Sequence, residues 1–225
     1  MAEEKGRELL DKIEGLHKPD TTLFLRLIEE GADVNMQDNG GWTALIYATS
    51  SGYTDVFHAL INHGADIHKK NGRGETALFH AALQGNTDIA LTLLEKGADA
   101  KTQSATAQTP LMYAAYNNNT ELTRALLERG VNTNVQSNRG ETALTKAALH
   151  NSADAIQILL DHGADTTLKN KDSETAQDIA KANGHTALAK MLRDHVIKEI
   201  FAAKAAEGTP CRRKIRRRTN MTQQP

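Results

Sequence analysis

Gly74-Glu75-Thr76-Ala77-Leu78-Phe79-His80-Ala81-Ala82-Leu83-Gln84-Gly85-Asn86-Thr87-Asp88-Ile89-Ala90-Leu91-Thr92-Leu93-Leu94-Glu95-Lys96-Gly97-Ala98-Asp99 contains the punctuation of two short helices. Thr76 is a capping residue, whose hydroxyl can accept from backbone N–H groups left unpaired at a helix start. Leu78 and Ala81 lie three apart and give the first helix an apolar face, with Ala allowing a close neighbour. The second helix carries Asp88-Ile89-Ala90-Leu91-Thr92-Leu93-Leu94 and stops at Gly97, which supplies a left-handed C-terminal conformation. The preceding Asn71-Gly72-Arg73-Gly74 is polar and turn-rich, and reads as a β-turn projecting from the helix pair.

The same punctuation recurs along the chain. Thr-Ala or Thr-Pro stands at Thr43, Thr76, Thr109, Thr142 and Thr175, 33 residues apart each time. Gly-Ala-Asp follows at Gly31, Gly64, Gly97 and Gly163, with Gly130-Val131-Asn132 as the one variant. Ala48, Ala81, Ala114, Ala147 and Ala180 keep the period, as do Leu27-Ile28, Leu60-Ile61, Leu93-Leu94, Leu126-Leu127 and Leu159-Leu160. A unit of this size cannot bury its own apolar face, so the units must stack on one another.

The pattern Gly74-x-Thr76-Ala77-Leu78-x-x-Ala81-Ala82-x-x-Gly85-Asn86-x-Asp88-Ile89, closed by Leu93-Leu94 and Gly97-Ala98-Asp99, resembles the ankyrin repeat. The resemblance runs over residues 6–195 and implies an all-α solenoid of helix–turn–helix plus β-turn units. The implied organisation is a degenerate N-terminal capping repeat at 1–37 and four full repeats at 38–70, 71–103, 104–136 and 137–169. A C-terminal capping repeat with a helical extension follows at 170–207, and a basic tail, expected to be disordered, at 208–225. The first unit is expected to keep only its second helix. Two departures stand out. The family's His after Thr-Pro-Leu is replaced by Ile46, Phe79, Met112 and Thr145. In the 104–136 unit, Asn117-Asn118-Asn119 stands where other units have Gly, and residues 102–108 lack Gly altogether, which marks this unit as the expected weak point.

Composition agrees with stacked small helices. Aromatic residues are 4% of the 225, so Ala, Leu and Ile must build the core. The net charge of −1 hides an asymmetry: residues 211–225 hold six of the 27 basic residues and no acid, leaving 21 basic against 28 acidic before them. The lone Cys211 allows no intrachain disulfide, the charged N-terminus lacks a secretory apolar run, and no stretch is long and apolar enough to span a membrane. A cytoplasmic location is expected. Nuclear import through the tail, or delivery into a host cell by an intracellular bacterium, stays open.

The resemblance implies a non-enzymatic scaffold that binds a protein partner on a concave face of turn tips and first-helix side chains. Residues just before the repeat Thr and four after it line that expected face: Trp42, Tyr47, Glu75, His80, Tyr113, Glu141 and Lys146, with Arg73 and Arg139 at the tips. Aromatic and Arg side chains are common interface anchors; the plainer role for Tyr47 and Tyr113 is to shield seams between repeats. Asn35, in Asp33-Val34-Asn35, resembles the ankyrin Asn that some hydroxylases modify, or is ordinary repeat consensus. The tail residues Arg212, Arg213, Lys214, Arg216, Arg217 and Arg218 suit a nuclear-import signal, a salt-sensitive nucleic-acid contact or an acidic surface.

Other chemistry is poorly supported. His58, His63 and His68 lie five apart, on different helical faces, and no Cys or second His cluster completes a metal site. His63 and His162 each precede a terminating Gly, where a cation suits the helix C-terminus. Cys211 has no base to activate it, and no phosphate-binding or dinucleotide loop is present. No cofactor, metal or small-molecule substrate is implied.

Overall fold

The computed structural model describes residues 2–14 and 21–206. Its helices come in antiparallel pairs: α1 (Ala2–Glu14) with α2 (Thr21–Glu29), α3 (Ala44–Ser51) with α4 (Thr54–Asn62), and α5 (Ala77–Gln84) with α6 (Thr87–Glu95). Next come α7 (Pro110–Tyr116) with α8 (Thr120–Glu128), α9 (Ala143–Leu149) with α10 (Ala153–Asp161), and α11 (Ala176–Ala182) with α12 (Thr186–Ala206). First helices pack in one row, α1 on α3, α3 on α5, α5 on α7, α7 on α9 and α9 on α11. The second helices also pack on one another, α2 on α4, α6 on α8 and α8 on α10. Among the described residues the only strand-like pairing is an isolated bridge between Gln37 and Thr43, so the fold is an all-α solenoid.

Each first helix starts as its Thr dictates. Thr43, Thr76, Thr109, Thr142 and Thr175 all have extended backbone, and each hydroxyl accepts from the N–H three residues on. The residues that replace the family's His divide into two solutions. Ile46, Phe79 and Met112 are buried and substitute packing for hydrogen bonding. Thr145 closes a reciprocal cap instead, its hydroxyl accepting from Thr142 N–H at 2.7 Å, and Asp178 does the same for Thr175.

The turns between units are bonded to one another. Within one, Asn71 N–H donates to Glu75 O and Gly74 N–H to Asn71 O. Between them, Gly72 donates to Gly40 O, Ala105 to Arg73 O, Asn138 to Thr106 O and Lys171 to Arg139 O, at 2.6–2.9 Å. One bond per repeat thus locks neighbouring hairpins in the 33-residue register.

Two expectations need correction. The first unit has both its helices: α1 buries Leu9, Leu10 and Ile13 against α2 and α3. The repeat pattern missed it because its apolar face comes without the Thr cap and turn that mark the other first helices. The 104–136 unit needs no glycine between its helices. Asn118 takes the left-handed conformation itself (φ 51°), as Gly52 and Gly85 do in their units. The flanking amides stitch the stack: Asn117 donates to Ala82 O and Leu83 O, Asn119 to Thr87 Oγ1, and Asn118 Oδ1 accepts from Ala155 N–H. The glycine-free hairpin at 102–108 does carry strain, at Ala107, a non-glycine residue at φ 56°.

The helical extension expected within 170–207 is the continuation of α12, on which Ile200 and Phe201 are exposed. The basic tail residues and Cys211 lie outside the described residues.

Candidate functional site

The hairpin bases and the inner faces of the first helices form one continuous row. Its first-repeat end is built from rings. Trp42 stacks on Tyr47 at 4.8 Å and lies 4.7 Å from His80 of the next repeat. Tyr47 donates to Asp38 Oδ2 at 2.7 Å, and Asp38 Oδ1 accepts from Gly40 and Trp42 N–H. Trp42 is therefore half-buried between two rings, filling a seam between repeats.

His80 departs from its expected place on the exposed ladder: it is 4% exposed. The physical reason is the large indole of Trp42, which covers it from the preceding repeat. His80 Nε2 sits 3.2 Å from Glu75 Oε2, and Asn71 donates to the same oxygen at 2.8 Å. Burial pushes the His80 imidazole below its ordinary value of 6.5, outweighing the pull of Glu75 in the other direction. The sign of the consequence is fixed. Unfolded chains take up this proton near 6.5, while the folded protein does so only at lower pH. Stability is therefore full above 6.5 and falls as pH drops into that window. His80→Gln, which does not titrate, is expected to flatten the change in Tm between about pH 7.5 and about pH 5.5 relative to the wild type.

The middle of the row combines charge with apolar surface. Lys146 lies 3.2 Å from Glu141 and 5.7 Å from the Tyr113 ring centroid. Burial works to raise the Glu141 carboxyl, but bonds from Gln108, Lys146 and Ser137 hold it below its ordinary value. Burial pushes the Tyr113 phenol up, helped by the negative charges of Glu141 and Glu75 on either side. Tyr113 packs edge-on against Phe79 and Tyr116, and Tyr116 lies 3.7 Å from the His150 ring. Beyond them a shallow hollow of about 130 Å³ has Leu149 and Ile179 as its apolar lining and Glu141, Lys146 and Glu174 as its polar one. Arg73 and Arg139 stand exposed at the tips, with no salt-bridge partner among the described residues.

A family model described as ankyrin repeats (3 copies) matches residues 16–104 and 97–170. The chain belongs to the ankyrin-repeat family. No curated protein matches it. Ankyrin repeats are in general protein–protein interaction modules, typically without catalytic activity, and no helix among the described residues is long and apolar enough to cross a membrane.

Within this ankyrin stack the expected site residues separate into two groups. Tyr113, Glu141 and Lys146 meet in one cluster; Trp42, Tyr47, Glu75 and His80 meet in another, two of whose members serve the seam. Leu83, Tyr116, Leu149 and His150 belong to the same row and escaped the sequence reading. A signal existed, because Leu83, Tyr116 and Leu149 lie three residues beyond His80, Tyr113 and Lys146, on the same helical face. Asn35 ties two repeats: its Nδ2 donates to Gly64 O at 3.1 Å and its Oδ1 accepts from Asp66 N–H at 2.7 Å. Asn134 repeats both contacts with Gly163 and Asp165. His63 and His162 each place Nδ1 within 2.9 Å of the carbonyl one turn back, Ala59 and Ile158 respectively, which caps the helix end.

Proposed function

We propose that the chain is a non-enzymatic scaffold or adaptor that holds a protein partner on its concave row, centred on Tyr113, Tyr116, Lys146 and Leu149. The observation that carries this reading is the continuity of partly exposed aromatic and apolar side chains across three repeats, bordered by fixed charges. Rigid aromatic side chains next to an anchored charge gain contact area with little loss of conformational freedom on binding. Leu149, 40% exposed, is the largest apolar contribution the row leaves to solvent. Trp42 and Tyr47 extend the same surface, but their stacking makes them structural as well.

The test is capture of partners by the full chain, identified by mass spectrometry and then measured by titration. Tyr116→Ala with Leu149→Ala is expected to weaken the captured partner about tenfold or more, with Tm nearly unchanged. Phe201→Ala, on the exposed part of α12, is expected to leave affinity unaltered. Partners that survive the double substitution and are lost when Arg212, Arg213, Arg216, Arg217 and Arg218 become Gln would move the interaction to the tail and overturn this reading.

A further inference from the structure

The chain contains three Asn-Gly pairs, Asn39-Gly40, Asn71-Gly72 and Asn183-Gly184. Such pairs are the ones most prone to intramolecular attack, because glycine leaves the backbone nitrogen unhindered. That nitrogen must reach the Asn side-chain carbon, so the fate of each pair depends on what holds the amide and the nitrogen.

Two of the pairs are held. Asn71 is buried; its Oδ1 accepts from Arg73 and Glu75 N–H at 2.9 and 3.0 Å, and its Nδ2 donates to Glu75 Oε2. Asn183 donates from Nδ2 to Ile179 O at 2.8 Å, one turn back, while Gly184 N–H is bonded to Lys181 O. Asn39 differs. It is exposed, and its side chain makes no hydrogen bond among the described residues. Gly40 N–H donates to Asp38 Oδ1 at 2.8 Å, so its nitrogen is held as those of Gly72 and Gly184 are, and the unbonded side-chain amide of Asn39 is what sets this pair apart.

We propose that Asn39 is a site of spontaneous deamidation in this protein, and that the same reaction is blocked at Asn71 and Asn183. The Gly40 nitrogen forms a bond to Asn39 Cγ and loses its proton, and the side-chain nitrogen departs as ammonia. Water then opens the five-membered imide at either carbonyl, leaving an aspartate or an isoaspartate. No oxidant or reductant takes part. Each product places a new negative charge on the hairpin that carries Asp38 and Trp42. The isoaspartate also lengthens the backbone within a turn fixed by Asp38 N–H to Trp42 O, Gly41 N–H to Asp38 O, and Gly72 N–H to Gly40 O at 2.6 Å. Lengthening that turn pulls apart the first inter-hairpin bond.

The experiment is incubation of the full chain at mildly alkaline pH, followed by peptide mapping that reads the mass gained when an amide becomes an acid. Conversion at Asn39 is expected to run about tenfold or more ahead of Asn71 and Asn183, since each ~1.4 kcal/mol needed to open a held site slows it about tenfold. Gly40→Ala is expected to suppress it. The isoaspartate fraction, separated by ion exchange, is expected to melt below Asn39→Asp, which adds the charge with a normal backbone. Comparable conversion at Asn71 or Asn183, or an intact Asn39 where a free peptide spanning 36–43 has converted, overturns the proposal.

Discussion

Leu126→Ala is expected to destabilise the protein by about 3–5 kcal/mol, in the upper part of the range for emptying a well-packed leucine site. Leu126 belongs to a column with the repeat's own period: Leu27, Leu60, Leu93, Leu126, Leu159 and Leu192 are all within 2% of fully buried. Its helix, α8, packs on α6, α7 and α10, so the cavity opens onto three elements in three repeats. A solenoid is stabilised by each unit and by each nearest-neighbour interface, and a defect in the middle damages an interface on either side. Leu192→Ala removes the same atoms from α12, whose main contacts are with α11 alone. That end can open locally without the rest, so the global loss there is expected to be smaller, about 2 kcal/mol. Urea unfolding followed by circular dichroism measures both. Leu126→Ala should lower the midpoint markedly and broaden the transition as the two halves decouple; equal losses for the two variants would show that the stack unfolds as one indivisible core.

That column was legible in the sequence because burial in a repeat is set locally. A leucine at a given register meets the same neighbours in every unit, so period and side-chain type together name the core. Thr76 and its counterparts were equally legible, since a cap is an interaction over three residues. Legibility ended where an outcome depends on the identity of a neighbour 33 residues away. His80 occupies the same register as Tyr47, Tyr113 and Lys146, yet it alone is fully covered, because it alone follows a unit with Trp42. Asn117-Asn118-Asn119 reads as a loss of glycine, whereas the three amides reach Ala82, Thr87 and Ala155 in adjoining units. The candidate row was half legible. Its hairpin-base residues were found from the turn, while Tyr116 and Leu149 required following the helix face one further step.

Substitution of the glycines draws the same distinction between local and neighbour-set constraints. Gly97 is left-handed (φ 89°) and an added Cβ would meet nothing within 4 Å. Gly97→Ala is therefore expected to cost only the torsional strain of that conformation, about 1–2 kcal/mol. Gly140 has a similar φ of 72°, but its added Cβ would lie 2.9 Å from Asn170 Cα and 3.1 Å from Lys171 N, both backbone atoms of the next hairpin. Relieving that overlap requires a shift of the next hairpin, which is held here by the bond from Lys171 N–H to Arg139 O. Gly140→Ala is expected to cost about 3 kcal/mol or more, the strain of Gly97→Ala plus a forced shift of backbone. Ala107 occupies the equivalent position one repeat earlier and already bears the strained geometry. Ala107→Gly should relieve about 1–2 kcal/mol of strain against about 0.4–1 kcal/mol of added unfolded-state freedom, a net gain. Thermal and urea unfolding of the three variants should rank Ala107→Gly above wild type, Gly97→Ala below it and Gly140→Ala lowest. Gly97→Ala and Gly140→Ala falling together would mean that the hairpin ladder yields to an extra methyl group, and that the stacking register is held by the helices alone.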